Sequence, residues 1–396
     1  MARRINRRRK KRKNTRKVFG FCVVLMMLII AFNVILQNNV VESQEYTVQV
    51  GQTNDDIKLY TDILGAKLNI AWLFNISDEV NYNKVGDYKI QCVSKLGGKK
   101  EIFVIVHVVD TIPPYIFLSG DEKISSTSSS EYLEPGFYAY DEYDGDITQN
   151  VKTTIRKNAY HEYTIFYEVK DSSGNTATAQ RDLYVDAGTI YLTFDDGPSE
   201  KITPKILDLL KENDIKATFF VIGFDREKDG LITRIHDEGH TIGIHGLSHD
   251  YSKIYKSIGN LMNNFYLLED LVYSLTGNRS GFIRFPGGSS NTVSKKYCEG
   301  IMTEAVELVT QQGYTYFDWN VDSQDAGGAD TAEEIYDNVV SGIKAGRENV
   351  VLMHDSAGHQ ATLEALEWII NYGLKNDYFF KSITDDTTQV KHNVAN

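Results

Sequence analysis

The sequence predicts an α/β fold: a distorted (β/α) barrel, preceded by all-β sandwich modules and one N-terminal transmembrane helix. Three observations carry this. From residue 188 onward, apolar runs such as Ile190-Tyr191-Leu192-Thr193-Phe194 alternate, over about 200 residues, with stretches whose apolar positions recur at helical spacing, the pattern of a parallel sheet or barrel. Residues 45–187 instead alternate apolar and polar positions between Gly, Asn and Pro turns, as strands do. Val18 to Leu36 is almost wholly apolar, with Asn33 the main exception. Its roughly nineteen residues, at ~1.5 Å each, suffice for a hydrocarbon core.

The net charge of −12 hides a split. Eleven of the 42 Lys and Arg, from Arg3 to Lys17, precede the first acid, Glu42; the remaining 31 face 54 Asp and Glu, a balance of about −23. That makes the bulk a poor nucleic-acid binder, despite the basic start. The basic tail (1–17) should stay cytoplasmic beside a membrane helix (18–37), which sends everything after residue 40 outside. A cleaved signal peptide is the competing reading, but the apolar run is long for one and Gln37-Asn38-Asn39 is no small-residue cleavage site. The three cysteines, Cys22, Cys92 and Cys298, are scattered, so no disulfide framework or Cys-rich zinc site is expected. The cores must stand without cross-links. Oligomeric state is not encoded in any pattern.

Residues 45–110 read as one β-rich module. Tyr88 to Val93 alternates, Gly97-Gly98 turns, and Glu101 to Val109 is rich in β-branched residues. Asp110-Thr111-Ile112-Pro113-Pro114 is a stiff junction. About 75 residues later the ending repeats, with Tyr163 to Val169, an Asp171-Ser172-Ser173-Gly174-Asn175 turn, and Thr176 to Val185, which suggests tandem modules. With its Pro-Pro start, Glu134-Pro135-Gly136 and the Asp141 to Ile147 loop, the stretch 111–187 resembles bacterial extracellular immunoglobulin-like domains. The module 45–110 shares only the final hairpin. Such modules imply spacers or wall-binding elements. Asp141, Asp144 and Asp146 offer oxygen ligands for calcium; a solvated turn is the plainer reading.

After Ala187-Gly188, each candidate functional residue follows a strand, the face where such folds carry their chemistry. The first strand ends on Asp195-Asp196-Gly197-Pro198. Side chains alternate along a strand, so both carboxylates reach one site only where the strand gives way to a loop. One can then ligate a metal while the other takes a proton from activated water; the alternative is an acidic turn. His245 and His249, at i and i+4, can share one ion. With a carboxylate they make an Asp-His-His set, for which zinc is the default and Mn, Fe, Co or Ni remain open. Arg284-Phe285-Pro286-Gly287 supplies a cation to orient a carboxylate and, at Gly287, a backbone N–H for an oxyanion. His354, ending Leu352-Met353-His354, becomes a proton donor to a leaving amine if an Asp holds it protonated. Asp318 to Asp325 supplies three acids after another strand.

Together these stretches resemble the polysaccharide deacetylase family, the NodB-like carbohydrate esterases of family 4, over about residues 188–385, with all five family motifs in order. The resemblance implies Asp195 as general base, and Asp196, His245 and His249 as metal ligands. It implies Arg284 as the holder of the base, Gly287 as oxyanion donor, Leu352 as a wall of the acetyl pocket and His354 as general acid. Either Asp325 or Asp322 is the Asp that tunes His354. Two positions depart from the family. Gly246 replaces the usual Ser or Thr after the first His, which removes a side-chain hydrogen bond from that loop. Ala326 replaces an aromatic residue, leaving Trp319 to build that wall of the sugar groove. The expectation is a membrane-anchored, metal-dependent N-deacetylase of cell-wall glycan, with N-acetylglucosamine of peptidoglycan as leading substrate. N-acetylmuramic acid, poly-N-acetylglucosamine and acetyl-xylan are the other substrates considered. A wall-binding protein without catalysis is the alternative of a different class.

Overall fold

The computed structural model describes residues 2–38, 43–52, 60–63, 66–69, 71–76, 79–95, 101–223 and 226–396. The N-terminal helix spans Ala2–Asn38. Its segment Lys17–Ile35 is long and apolar enough to cross a membrane, and Val18 to Ile35 present mostly exposed apolar side chains.

The chain divides into two compact units, Met1–Leu118 with Phe137–Lys152 and Tyr167–Ala179, and Ser119–Gly136 with Thr153–Phe166 and Gln180–Asn396. In the first module, strands Ser43–Gln49, Glu101–Val109, Gly86–Ser94 and Phe74–Ile76 form one sheet in that order. Alternation puts Ile90, Cys92, Ile102, Val104, Val106 and Val108 into its core. The expected Gly97-Gly98 turn lies outside the described residues. The second β region carries a three-stranded and a four-stranded sheet. Its last hairpin, Glu162–Lys170 to Thr176–Val185, turns where expected: the Asp171 carboxylate accepts from Gly174 N and Asn175 N.

From residue 188 the architecture is α/β. Eight parallel strands, β1 (Gly188–Asp195), β2 (Thr218–Ile222), β3 (Thr241–Gly246), β4 (Phe282–Ile283), β5 (Thr315–Tyr316), β6 (Val321–Asp322), β7 (Arg347–His354) and β8 (Phe379–Phe380), form one sheet. Its order is β5-β4-β3-β2-β1-β7-β6, with β8 beside β1. The sheet curls as a half-barrel. The flanking strands β4, β5 and β6 are two residues each, and no pairing joins β5 to β6 among the described residues. Central strands are buried on both faces, which is why β1 and β7 read as nearly continuous apolar runs.

Helices α1 (Thr203–Glu212), α2 (Asp229–Asp237), α3 (Tyr251–Ile254), α4 (Ile258–Thr276), α5 (Ile301–Gln311), α6 (Ala332–Gly342) and α7 (Gln360–Lys375) fill the connections. Their ends follow from local chemistry. Ser257 caps α4 through Asn260 N, and Gly277, in the left-handed region, closes it. Thr331 and Glu334 form a capping box on α6. Their apolar faces pack Ile206, Leu210, Ile235, Leu268, Val309 and Ile369 onto the sheet's core.

Candidate active site

All functional candidates gather at the C-terminal ends of the parallel strands. Asp195 ends β1 in register with His354 at the end of β7. Asp196 follows with φ 67°. This left-handed step breaks the strand's alternation and brings two adjacent carboxylates to one site. The loop is then pinned from below: Ser199 Oγ donates to Asp355 O and Thr203 Oγ1 donates to Asp355 Oδ2, at 2.7 and 2.5 Å. A Cβ at Gly197 would collide with the Asp355 carboxylate. Burial pushes that carboxyl up to about 7.

Asp196, His245 and His249 each offer a ligand atom within 4.8 Å of the others. His245 Nε2 and His249 Nε2 lie 3.7 and 3.9 Å from Asp196 Oδ1, which is buried and has no hydrogen-bond partner among the described residues. His245 Nδ1 donates to Arg284 O at 2.7 Å, which leaves Nε2 as the free lone pair. Burial lowers the His245 pKa to about 3, so the imidazole is neutral, as a ligand must be. An orphaned carboxylate oxygen facing two imidazole nitrogens is a donor set that fits a divalent cation.

Beside it, Arg284 is completely buried. Its Nη1 donates to Asp195 Oδ1 and Thr193 Oγ1, both at 2.8 Å. Nε donates to Phe317 O and Nη2 to Asp318 O, at 3.0 and 2.9 Å, and the guanidinium lies 4.1 Å from the Phe220 ring centre. Every direction of the fork is thus fixed. Desolvation raises the Asp195 pKa, against the opposing pull of Arg284 and His354.

The choice between Asp325 and Asp322 is a matter of turn geometry. Asp325 Oδ1 accepts from His354 Nδ1 at 2.7 Å, while its Oδ2 accepts from His354 N and Thr362 Oγ1, each at 2.8 Å. Asp322 is not part of this group. Its Oδ1 caps Gln324 N and its Oδ2 accepts from Trp319 Nε1. Burial opposes charge on His354, but the Asp325 hydrogen bond and the charges of Asp325, Asp195 and Asp196 hold it up at about 9.

Gly287, at φ 80°, leaves no room for a Cβ beneath Tyr251 Oη. Its N–H donates to no protein acceptor among the described residues. Leu352 is buried in β7, opposite Thr193 and Asp322. Trp319 is half-buried, its ring 4.7 Å from that of His392.

Asn264 is the residue that sequence reasoning missed. A side chain at position 246 would collide with its Nδ2. In the space left by Gly246, Asn264 Oδ1 accepts from Ser248 N, its Nδ2 donates to Ser248 O, and its carbonyl accepts from Leu247 N, at 2.9, 3.1 and 3.1 Å. The loop between His245 and His249 is therefore held from helix α4. The available signal was an Asn on the buried stripe Leu261, Met262, Phe265, Leu268.

A carboxylate–guanidinium pair, an Asp-His-His set and an Asp-held imidazole on one rim of a parallel sheet are the kind of arrangement that hydrolases use. The comparisons give the particular family. Residues 183–306 match the polysaccharide deacetylase family, and residues 116–185 match the Ig-like domain of bacterial surface proteins. The chain is 36% identical over 185 residues to a Bacillus cereus peptidoglycan-N-acetylglucosamine deacetylase, covering 46% of this chain and 62% of the relative. It is 32% identical over 202 residues to a Bacillus subtilis peptidoglycan-N-acetylmuramic acid deacetylase, covering 50% and 70%. The crystal structure of the catalytic domain of a Eubacterium rectale peptidoglycan N-acetylglucosamine deacetylase is 42% identical, with TM-score 0.50, covering 52% of this chain and 94% of that one. The chain belongs to the polysaccharide deacetylase family.

Proposed function

We propose that the protein is a metal-dependent N-deacetylase of cell-wall glycan, acting on N-acetylglucosamine of peptidoglycan and held at the outer face of the membrane by its N-terminal helix. The observation that carries the reading is the joint presence of the Arg284–Asp195 pair, the Asp325–His354 pair and the Asp196-His245-His249 set on one rim. A protein that only binds glycan has no use for a buried base and an opposed imidazolium together. Relatives named for peptidoglycan substrates support the choice of polymer.

Asp196, His245 and His249 would hold the ion, and Zn2+ suits their N,N,O donors. A bound cation there supplies Lewis-acid activation of water and of the acetyl carbonyl. Asp195, fixed by Arg284, accepts a proton from the attacking water, its basicity raised by burial. The Gly287 N–H donates to the acetyl oxygen as negative charge develops there. His354 gives its proton to the departing amine, and Asp325 keeps the imidazolium oriented with Nε2 free to donate. Acetate and a free amino sugar are the products.

The test uses the zinc-loaded protein on purified peptidoglycan, measuring acetate release and then identifying the sugar that lost its acetyl group after digestion of the wall. Glucosamine in the digest supports the reading. Muramic acid without its acetyl group would move the assignment to the neighbouring sugar, and glycan binding without acetate release would leave only a wall-binding protein.

A further inference from the structure

A second group of buried carboxylates lies in the β modules. Asp110, in the junction after the first β module, Asp141, at the end of strand Phe137–Asp141, and Asp171, in the last hairpin, are 7%, 1% and 6% exposed. Each contributes a carboxylate oxygen within 4.8 Å of the other two. Among the described residues no Lys, Arg or His lies within ion-pair distance of them. Their bonds are instead local. Asp110 Oδ1 accepts from Gln49 Nε2 and Ile112 N. Asp141 Oδ1 accepts from Tyr143 N and Asp144 N. Asp171 Oδ1 accepts from Gly174 N and Asn175 N, and its Oδ2 from Asn175 Nδ2. Oδ2 of Asp110 and Oδ2 of Asp141 are left buried with no hydrogen-bond partner among the described residues.

Three carboxylates out of water without a counter-charge are strongly unfavourable. The orphaned oxygens call for a cation, and an all-oxygen, carboxylate-rich donor set selects a hard one. We propose that Asp110, Asp141 and Asp171 bind a calcium ion that fastens the junction between the two β modules. A cavity of about 330 Å³, lined by Asp110, Gln49, Glu142 and Tyr143 among others, opens beside the group and has room for the waters that complete a calcium shell. The elements the ion would tie are already in contact: Gln49 of the first module accepts from Thr111 Oγ1 at 2.7 Å, and Asn175 of the hairpin donates to Asp110 O at 3.1 Å. The sequence offered Asp141, Asp144 and Asp146 as a calcium set, with a solvated turn as the plainer reading. That set does not form, because Asp144 is taken by Ser172 and Asp146 by Thr148; only Asp141 turns inward.

The experiment is calcium binding to the full-length protein in detergent, with the catalytic site saturated with zinc, by calorimetry and by thermal unfolding. One calcium per chain should bind, magnesium far more weakly, and Tm should rise with calcium. Asp141→Asn keeps the acceptor for Tyr143 N and Asp144 N but removes a charge. It should abolish calcium uptake, leave acetate release unchanged, and unfold at a higher Tm than the parent in chelator. In calcium that order should reverse. Should this variant not fold, Asp110→Asn provides the same comparison, and the calcium dependence of the parent's Tm stands by itself. No uptake at millimolar calcium, uptake retained in the folded variant, or equal binding of magnesium would overturn the proposal.

Discussion

Asp195 and His354 stand opposite each other, in register, on two adjacent parallel strands. The separation of proposed base and proposed acid is therefore set by a backbone ladder rather than by loops. Each is then trimmed by a partner from elsewhere, Arg284 on one side and Asp325 on the other. The predictions below take these partners one at a time.

Asp195→Asn should keep its metal and lose turnover by roughly 10²–10⁴-fold, the usual worth of a positioned base. Zinc content and acetate release on the same sample check this. A variant that loses zinc would mean that the roles of Asp195 and Asp196 are exchanged.

His354 should titrate near 9 in the metal-free protein, followed by its imidazole NMR signals. Its folded pKa lies above the ordinary 6.5, so its contribution to stability is complete below about 6.5 and is lost as pH rises through about 9. As a proton donor it works in its charged form, so activity falls on the basic side. Asp325→Asn removes the hydrogen bond and charge that raise it, and the basic limb of the rate profile should move to lower pH. An unmoved limb would assign that limb to another group.

Arg284→Ala leaves Asp195 buried without its cation. Breaking a buried pair of this kind costs about 3–5 kcal/mol, visible as a lower Tm of the catalytic domain. Arg284→Lys should recover only part of the activity, because a point charge cannot serve Asp195, Thr193 and two carbonyls at once.

Asn264→Ala frees the loop that carries His249. Loss of such support typically weakens metal binding by about 10–100-fold, and competition with a chelator measures it. Gly246→Ser, the usual family residue at this site, should do the same here rather than strengthen the loop, because its Cβ meets Asn264 and its backbone sits at φ 124°.

Much of this was legible in the sequence because the central strands are buried on both faces. Ile190 to Phe194 and Val350 to Met353 read as apolar runs, and polar residues just after them stand out. What escaped the sequence depends on geometry over one turn or across long separations. Asp322 ends the short strand β6 and Asp325 comes three residues later, and only the turn through Gln324, at φ 59°, decides which faces His354. Asn264 lies on a helix sixteen residues beyond the loop it holds. The Asp110-Asp141-Asp171 group draws on three separate segments, so no local spacing announces it, and within the Asp141–Asp146 stretch the hydrogen bonds of Asp144 and Asp146 are those of the turn that was the plainer reading.

Residue 284 serves both halves of the centre by different atoms. Its guanidinium grips Asp195, whereas its main-chain oxygen sets the tautomer of His245. Replacing the side chain discards the first service and spares the second. Loss of the proposed turnover at this position would therefore leave the proposed ligand set neutral and aimed, so metal content alone would not report on activity.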